Sequence, residues 1–272
     1  MTDILTITLN PAVDVSSTTP RLMPAHKMRC THTQRFPGGG GINVTRVLHR
    51  LGADSLALYL AGGAMGQQLR KLIALEKISS HSLPIREETR ESFAVVDAST
   101  GNEYRFVLPG PTVQPHEWES CLAFVRSMKP VPRYVVLSGT LPPGVPDDAY
   151  ARLAEVAKAR GSQVVLDTSG PELREALKQG VWIVKPSLRE LSELTGRDLG
   201  DETQWLAAGR QLVRTGQTEW VALTLGNVVR CWWAPTRPGA PTRSMCRWQA
   251  PPGPATASWL RWYGPCRVAC PW

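Results

Sequence analysis

Residues 134–168 read YVVLSGTLPPGVPDDAYARLAEVAKARGSQVVLDT, and they decide the fold class. Two short apolar segments, YVVLSG and QVVLDT, flank a segment in which apolar residues recur with a helical period. Apolar segments of this length, rich in valine, are typical of strands that are covered on both faces. A strand, a helix and a second strand in this order predict parallel strands joined by a helical crossover.

The same alternation continues on both sides of this stretch. Helical patterns follow Gly41, Gly63, Gly170 and Asp201, and several end in a glycine, which commonly closes a helix. The sequence therefore predicts an α/β fold with a mostly parallel central sheet and helices on both of its faces. The further strand-like segments are 4–9, 55–62, 93–98, 182–186 and 220–226.

Two regions, approximately 13–35 and 89–108, depart from this rhythm. Their strand-like segments alternate polar and apolar residues, and only the turn Ser-Thr-Gly-Asn at 99–102 separates two of them. Half-exposed strands of this kind predict a small antiparallel sheet that stands off the main body and acts as a lid.

The composition changes near Gly226. The chain of 272 residues has a formal charge of +8, with 31 Lys and Arg against 23 Asp and Glu. Residues 227–272 contain six of these arginines and no acidic residue, so the first 226 residues, with 25 against 23, are nearly neutral. No apolar run is long enough to cross a bilayer, and the start MTDILTITLN does not read as a secretory signal. We expect a cytoplasmic protein with no nucleic-acid or membrane partner.

A run of glycines and one carboxylate are the first candidates for ligand binding. Gly38–Gly41 directly precede a predicted helix that contains Asn43, and a helix start offers N–H groups to an anion or to sugar hydroxyls. Asp14 follows the first predicted strand, at the edge where open α/β sheets bind ligands. A flexible turn and a turn-capping aspartate are the alternatives. The run matches neither the P-loop nor the Rossmann pattern.

Three cations lie in the predicted lid strands, namely Lys27, Arg90 and Arg105. Together they would suit a phosphate group, whereas each taken singly fits an ordinary solvated surface charge.

Several motifs in fixed order carry a family resemblance. They are TLNPAVD (8–14), PGGGGINV (37–44), LSGTLPPGV (137–145) and VKPSLREL (184–191), with the second lid region, 89–108, between the second motif and the third. Over residues 1–226 the chain resembles the PfkB-type sugar kinases of the ribokinase-like superfamily. The similarity is greatest to those that act on fructose 6-phosphate, fructose 1-phosphate or tagatose 6-phosphate, and the sequence leaves the choice among these open.

The resemblance implies an α/β/α sandwich whose β lid also forms a homodimer clasp. It further implies phosphorylation of a ketohexose phosphate by ATP with Mg²⁺. Asp14, Gly39, Gly40 and Asn43 would hold the sugar, with Ser138 near its reacting end, and Lys27, Arg90 and Arg105 would hold its phosphate. Lys185, Ser187, Glu190, Thr224 and Gly226 would serve ATP, and Glu190 would act on Mg²⁺ through water. Ser187 stands where the family usually has Asn, which weakens the expected metal positioning.

The same family uses Gly-Ala-Gly-Asp at a helix start to hold the transferred phosphate and to supply the general base. No such motif occurs in this chain. Residues 227–272 show no helical or strand period, and their four cysteines lack zinc-ligand spacing. We interpret them as a non-homologous tail produced by a one-base frameshift near codon 226.

Two functions follow from these observations. The first is a 6-phosphofructokinase-like kinase by descent that is inactive as written. The second is a non-catalytic sugar-phosphate-binding or dimerising protein. A tail that anchors the protein to nucleic acid or to a membrane is disfavoured because its arginines are not clustered.

The frameshift interpretation predicts a definite DNA sequence. In the shifted frame, each new codon consists of the third base of one codon and the first two bases of the next. The codons of Trp248 and Gln249 then give GCA, which encodes Ala. The following junctions permit Ser-Thr-Thr-Gly-Ala-Gly-Asp, with the Asp spanning the codons of Ala255 and Thr256. Sequencing codons 220–260 should reveal Gly-Ala-Gly-Asp in the shifted frame, and any other reading there contradicts the interpretation.

Overall fold

The computed structural model describes residues 2–225 and the backbone of two further strands. The alternation of strands and helices predicted from the sequence is confirmed for these residues, with three strands and two helices added. The strands are β1 Ile4–Thr8, β2 Ala12–Thr19, β3 Thr31–Gly38, β4 Ser55–Ala61, β5 Ser80–Pro84, β6 Arg90–Asp97, β7 Glu103–Val107, β8 Tyr134–Ser138, β9 Gln163–Asp167, β10 Val181–Val184, β11 Thr218–Leu225, β12 Val228–Trp233 and β13 Cys246–Gln249. The helices are α1 Gly40–Arg50, α2 Gly63–Leu75, α3 Pro115–Ser127, α4 Ala149–Ala159, α5 Gly170–Leu177, α6 Leu188–Thr195 and α7 Glu202–Arg214.

The chain divides into two compact units, and unit 1 contains the described parts of 1–5, 122–138 and 146–272. In this unit β8, β9, β10 and β11 lie side by side and run parallel. Helical crossovers join them, and α4 packs with Leu153 and Ala154 fully buried. Parallel strands place their carboxyl ends at one edge, so the residues that end β8, β9 and β10 meet there.

Unit 2 contains residues 6–121 and 139–145. Its strands β4 and β5 pair in parallel, and α1 and α2 pack on a buried cluster that includes Ile42, Tyr59 and Leu69. A buried hydrogen bond of 2.6 Å between the Thr6 and Thr45 hydroxyls fixes α1 against β1. The helix start is therefore held directly behind the glycine run.

The strands predicted to act as a lid form a second sheet within unit 2, in the order β3-β2-β6-β7. The antiparallel prediction is wrong for its central pair, because β2 and β6 run parallel while β2–β3 and β6–β7 are antiparallel. Only the outer pairs are consecutive hairpins. Three strands and two helices intervene between β2 and β6, and such a long connection can return the chain in the same direction.

The sequence predicts no strand in residues 227–272, and this prediction is wrong for β12 and β13. β12 pairs antiparallel with β11, and β13 pairs antiparallel with β12. The physical reason for β12 is the dipeptide Gly226-Asn227 between two β-branched segments, which favours a hairpin. The rest of the predicted non-homologous tail lies outside the described residues.

None of the helices in the described part of the chain combines the length and the apolar character that crossing a membrane requires.

Thr89, which directly precedes β6, is attached to the β4–α2 turn by a reciprocal pair of hydrogen bonds. Gly62 N–H donates to Thr89 Oγ1 at 3.1 Å, and Thr89 N–H donates to the Gly62 carbonyl at 3.0 Å. A side chain at Gly62 would overlap the carbonyl oxygens of Glu87 and Ile85.

Gly62→Ala should therefore lower the free energy of unfolding by about 1–3 kcal/mol, because backbone atoms must move to admit one methyl group. Urea titration measures this loss. Gly200→Ala is the matched control, because its methyl group would meet only the Gln204 side chain, at an ordinary 3.7 Å. Equal stability of the Gly62 variant and the control would contradict the prediction.

Candidate functional site

A partly desolvated carboxylate lies at the centre of the candidate site in unit 2. Asp14 is on β2, where it pairs in register with Phe36 of β3 and Ser92 of β6. A Cβ atom at Gly38 would overlap the Asp14 carboxylate. Residue 38 must therefore lack a side chain, because the backbone there approaches the carboxylate too closely to admit one.

The charge state of Asp14 reflects two opposing effects. Burial raises the pKa of Asp14, and the nearby charges of Arg90, Arg105 and Arg46 lower it, with burial the larger effect. A carboxylate in this setting has lost part of its hydration and gains from any ligand that donates hydroxyl hydrogen bonds to it.

The glycine run leads directly into α1, which begins at Gly40. Gly39 has φ +121°, and a Cβ there would lie 2.6 Å from Thr8 Cγ2, so this position requires glycine twice over. The Ile42 N–H donates to Thr8 Oγ1 at 3.0 Å. The first turn of α1, all of it described, contains no acidic residue, so its positive dipole end is not neutralised within the helix.

Arg90 lies at the start of β6 and is half buried. Its Nη1 donates to the Leu108 carbonyl at 3.1 Å and its Nη2 to the Asn10 carbonyl at 3.2 Å. Burial lowers the pKa of Arg90, and the charge of Asp14 opposes this shift. The buried Nε of Arg90 and Oδ1 of Asn10 have no hydrogen-bond partner among the described residues. Buried polar atoms of this kind are rare, and a bound water molecule or ligand is one way in which they are satisfied.

Arg105 and Lys27 are placed differently from each other. Arg105 is on β7, is half exposed and pairs with Glu103 through a 3.2 Å contact between Nε and Oε2. Lys27 is exposed and lies between β2 and β3, so the prediction that it falls in a lid strand is wrong. Pro20 follows the last residue of β2, and because proline lacks an N–H it commonly ends a strand.

A second cluster occupies the strand edge of unit 1. The Asp167 carboxylate accepts a hydrogen bond from Ser138 Oγ at 3.2 Å and pairs with Lys185 Nζ at 2.7 Å. Burial is the main effect on the pKa of Asp167 and raises it, while Lys185 and Ser138 lower it and Glu190 raises it. Ser138 and Asp167 are direct neighbours in the β8–β9 register. The sequence analysis missed Asp167, although its position at the end of the quoted segment QVVLDT was a usable signal.

The segment after Lys185 is organised by a capping box. Ser187 Oγ accepts from the Glu190 N–H at 3.3 Å, and Glu190 Oε2 accepts from the Ser187 N–H at 2.7 Å. Thr224 donates its N–H and its hydroxyl to the Pro186 carbonyl, at 2.9 and 3.2 Å. One carboxylate oxygen of Glu190 is thus engaged in capping α6. Gly226 lies outside the described residues.

The candidate residues therefore form one cluster in each unit. Unit 2 contains the residues predicted to hold a sugar phosphate, except Ser138, and adds Asn10; Lys27 lies in the same unit, but on the exposed segment between β2 and β3. Unit 1 groups the residues predicted for the nucleotide, and there Asp167 joins them to Ser138. Unit 2 holds Asp14, Gly39, Gly40, Asn43, Arg90 and Arg105, whereas unit 1 holds Ser138, Lys185, Ser187, Glu190 and Thr224.

Comparison with known proteins identifies the class. A family model described as pfkB family carbohydrate kinase matches residues 1–228, and the chain belongs to this family. The resemblance predicted from the motifs is therefore confirmed. The chain is 42% identical over 224 residues to an ATP-dependent 6-phosphofructokinase isozyme 2 of Mycobacterium tuberculosis. That match covers 82% of this chain and 66% of the relative, so the chain matches slightly less than two thirds of that protein's length.

Further relatives and solved structures agree. The Escherichia coli isozyme 2 is 35% identical over 227 residues, or 83% of this chain and 73% of the relative. A tagatose-6-phosphate kinase of Staphylococcus epidermidis is 33% identical over 226 residues, or 82% and 72%. The crystal structure of Escherichia coli phosphofructokinase-2 in complex with fructose-6-phosphate has a TM-score of 0.85 at 32% identity, covering 93% of this chain and 82% of that one. The predicted ribokinase-like fold is confirmed.

The raised pKa of Asp14 makes a prediction about stability. The folded protein binds this proton more tightly than the unfolded chain, so the contribution of Asp14 to stability is present below its unfolded pKa and is lost as the pH rises through its folded pKa. Asp14→Asn replaces the carboxylic acid by an amide that does not ionise, so the variant does not lose stability in this way as the pH rises. The variant should melt at a higher temperature than the parent at pH 7, and this advantage should shrink as the pH falls toward about 4.

Calorimetric melting across this pH range measures the difference. The exposed Asp147 provides the control, and Asp147→Asn should leave the melting temperature unchanged throughout. An Asp14 variant that is less stable than the parent at pH 7 would contradict the role given to burial.

Proposed function

We propose that the chain is a sugar-phosphate kinase by descent, of the 6-phosphofructokinase type, whose sequence as written retains substrate binding but not phosphoryl transfer. The observation that carries the binding proposal is the buried Asp14 carboxylate beside Arg90, whose Nε has no partner among the described residues. A ketohexose phosphate offers hydroxyls to the first group and a dianion to the second.

In unit 2, Asp14 would accept hydrogen bonds from sugar hydroxyls, and Asn43 and the N–H groups at Gly39 and Gly40 would add further contacts. Arg90 and Arg105 would bind the existing phosphate. Lys27 would join them from its loop. The relatives named as 6-phosphofructokinase and tagatose-6-phosphate kinase support a ketohexose 6-phosphate as substrate.

In unit 1, Lys185, Ser187, Glu190, Thr224 and Gly226 would bind ATP, with Ser138 close to the reacting atoms. The described residues contain no group of three or more metal-binding side chains. Mg²⁺ is commonly held by one or two carboxylates together with phosphates and water. Asp167 and Glu190, whose charge raises the pKa of Asp167, fit that arrangement. The bound Mg²⁺ would neutralise the phosphate charge of ATP.

Phosphoryl transfer depends mainly on alignment and on charge neutralisation, with a base that accepts the proton of the attacking hydroxyl. The Gly-Ala-Gly-Asp segment that provides this base in the family does not occur in the sequence. Loss of a general base alone costs roughly 10²–10⁴ in rate. The loss of the phosphate-binding N–H groups adds to this, so we expect negligible turnover. A frameshift near codon 226 explains the absence.

The second candidate function is a non-catalytic protein that binds sugar phosphate or dimerises. Large apolar side chains are exposed on and just after the lid strand β7, which supports homodimerisation through the lid. They are Tyr104, Phe106, Val107 and Leu108. Among the described residues, Cys30 and Cys121 form no disulfide, which supports a reducing compartment such as the cytoplasm.

Isothermal titration calorimetry with fructose 6-phosphate tests the binding proposal. The parent chain should bind, and Asp14→Asn should bind about 10- to 100-fold more weakly, because a charged hydrogen-bond acceptor is lost. Glu172→Gln, a charge removal on α5 in unit 1, is the control and should leave binding unchanged. Equal affinity of the Asp14 variant and the parent would refute the proposed site.

A further inference from the structure

Three side chains in unit 2, those of Glu76, Arg46 and Asn43, form a relay of hydrogen bonds. It leads from the end of α2 to Asn43, the residue predicted to contact the sugar. Arg46 forms a bidentate ion pair with Glu76. Its Nε donates to Oε2 and its Nη2 donates to Oε1, both at 2.7 Å. The remaining branch of the guanidinium, Nη1, donates to Asn43 Oδ1 at 3.3 Å. Arg46 and Glu76 are only 18% and 27% exposed.

The hydrogen bond from Arg46 fixes which atom of the Asn43 amide faces the guanidinium. An arginine carries N–H donors and no acceptor, so only the amide oxygen of Asn43 can face it. The amide NH₂ therefore occupies the opposite branch, where it can donate to another group. Without Arg46 the Asn43 amide would lose the donor that selects its orientation, and the side chain could present its oxygen instead.

Glu76 holds the arginine in this position. A two-pronged pair between a guanidinium and a carboxylate fixes the plane of the guanidinium as well as its distance. Glu76 directly follows the last residue of α2, whereas Arg46 is on α1 one turn after Asn43. The geometry thus links the packing of two helices to the orientation of one amide.

We propose that Arg46, held by Glu76, is a positioning residue of the sugar-phosphate site, which fixes the Asn43 amide with its NH₂ directed toward a hydroxyl oxygen of the substrate. This inference rests on the proposed function and deepens it, because it assigns to Asn43 the role of donor. Arg46 also acts on Asp14, since it is one of three arginines whose charge lowers the pKa of that carboxyl. A test must therefore separate the charge of residue 46 from its geometry.

Arg46→Lys makes this separation. Lysine keeps the positive charge near Asp14 but cannot form the two-pronged pair with Glu76 while also contacting Asn43. Calorimetry should show about tenfold weaker binding of fructose 6-phosphate, whereas binding of inorganic phosphate, which has no sugar hydroxyl, should change less than about twofold. In the Asn43→Ala background the same lysine substitution should weaken the binding of fructose 6-phosphate by less than a further factor of about two. Its effect acts through the Asn43 amide, which that background lacks.

Two further variants complete the experiment. Glu76→Gln leaves Arg46 in place but weakens its anchor, and it should lower sugar-phosphate affinity by about threefold with phosphate binding again unchanged. It also preserves the test if the lysine variant fails to fold. Arg189→Lys is the matched control, because Arg189 forms an exposed pair with Glu193 at 3.5 Å on α6 in unit 1, and its replacement should change neither affinity.

The outcomes are distinguishable. A parent chain that fails to bind fructose 6-phosphate overturns the proposed function and this inference with it. If the parent binds and Arg46→Lys weakens sugar phosphate and inorganic phosphate equally, the proposed function stands and the positioning role is refuted. Additive losses in the Asn43→Ala background would refute it as well.

Discussion

The Asp14 carboxylate is enclosed on one side by the backbone at Gly38 and is acted on electrostatically by three arginines. A carboxylate that has lost hydration without gaining direct partners is costly, and the surrounding fold must hold it in place. The glycine run, the start of α1 and the reciprocal Gly62–Thr89 hydrogen bonds each restrict the backbone around it. Burial of the Asp14 carboxylate thus lowers the stability of unit 2, and a bound anion that donates hydroxyl hydrogen bonds to Asp14 would offset this loss.

Unit 1 also contains a largely buried carboxylate, that of Asp167, but its surroundings differ from those of Asp14. Asp167 is also buried enough to raise its pKa, but Lys185 and Ser138 contact it directly. The ends of parallel strands bring these three residues together, so their arrangement follows from the sheet register. Glu190 is engaged in the α6 capping box, which orients its carboxylate and leaves the other oxygen for water or ligand. The residues proposed to bind the nucleotide here also stabilise the local structure.

Much of the fold could be predicted from the sequence, because long apolar segments and glycine-terminated helical patterns are strong local signals. β5 was missed since SHSLP is short and polar, with a proline at its end. The Ser187-x-x-Glu190 spacing announces a helix start, but it was interpreted only as a nucleotide segment. The parallel pairing of β2 with β6 is non-local and has no local signature.

The candidate site was predictable only in part. Asp14, Arg90 and the glycines were found through motifs. Asp167 and the relay from Glu76 through Arg46 depend on contacts across 29 and 30 sequence positions, which a single sequence does not reveal. Lys27 was assigned to a strand because it lies between two strand-like segments, although the prolines around it prevent continuous pairing.

We propose that the first 226 residues form a sugar-phosphate site and that the remaining residues do not supply the catalytic end of a kinase. Phosphorus NMR of fructose 6-phosphate with ATP and Mg²⁺, incubated for a day with protein whose intact mass matches the sequence, tests this most directly. The account predicts that no new phosphate monoester signal appears. Steady formation of fructose bisphosphate with matching release of ADP would contradict it.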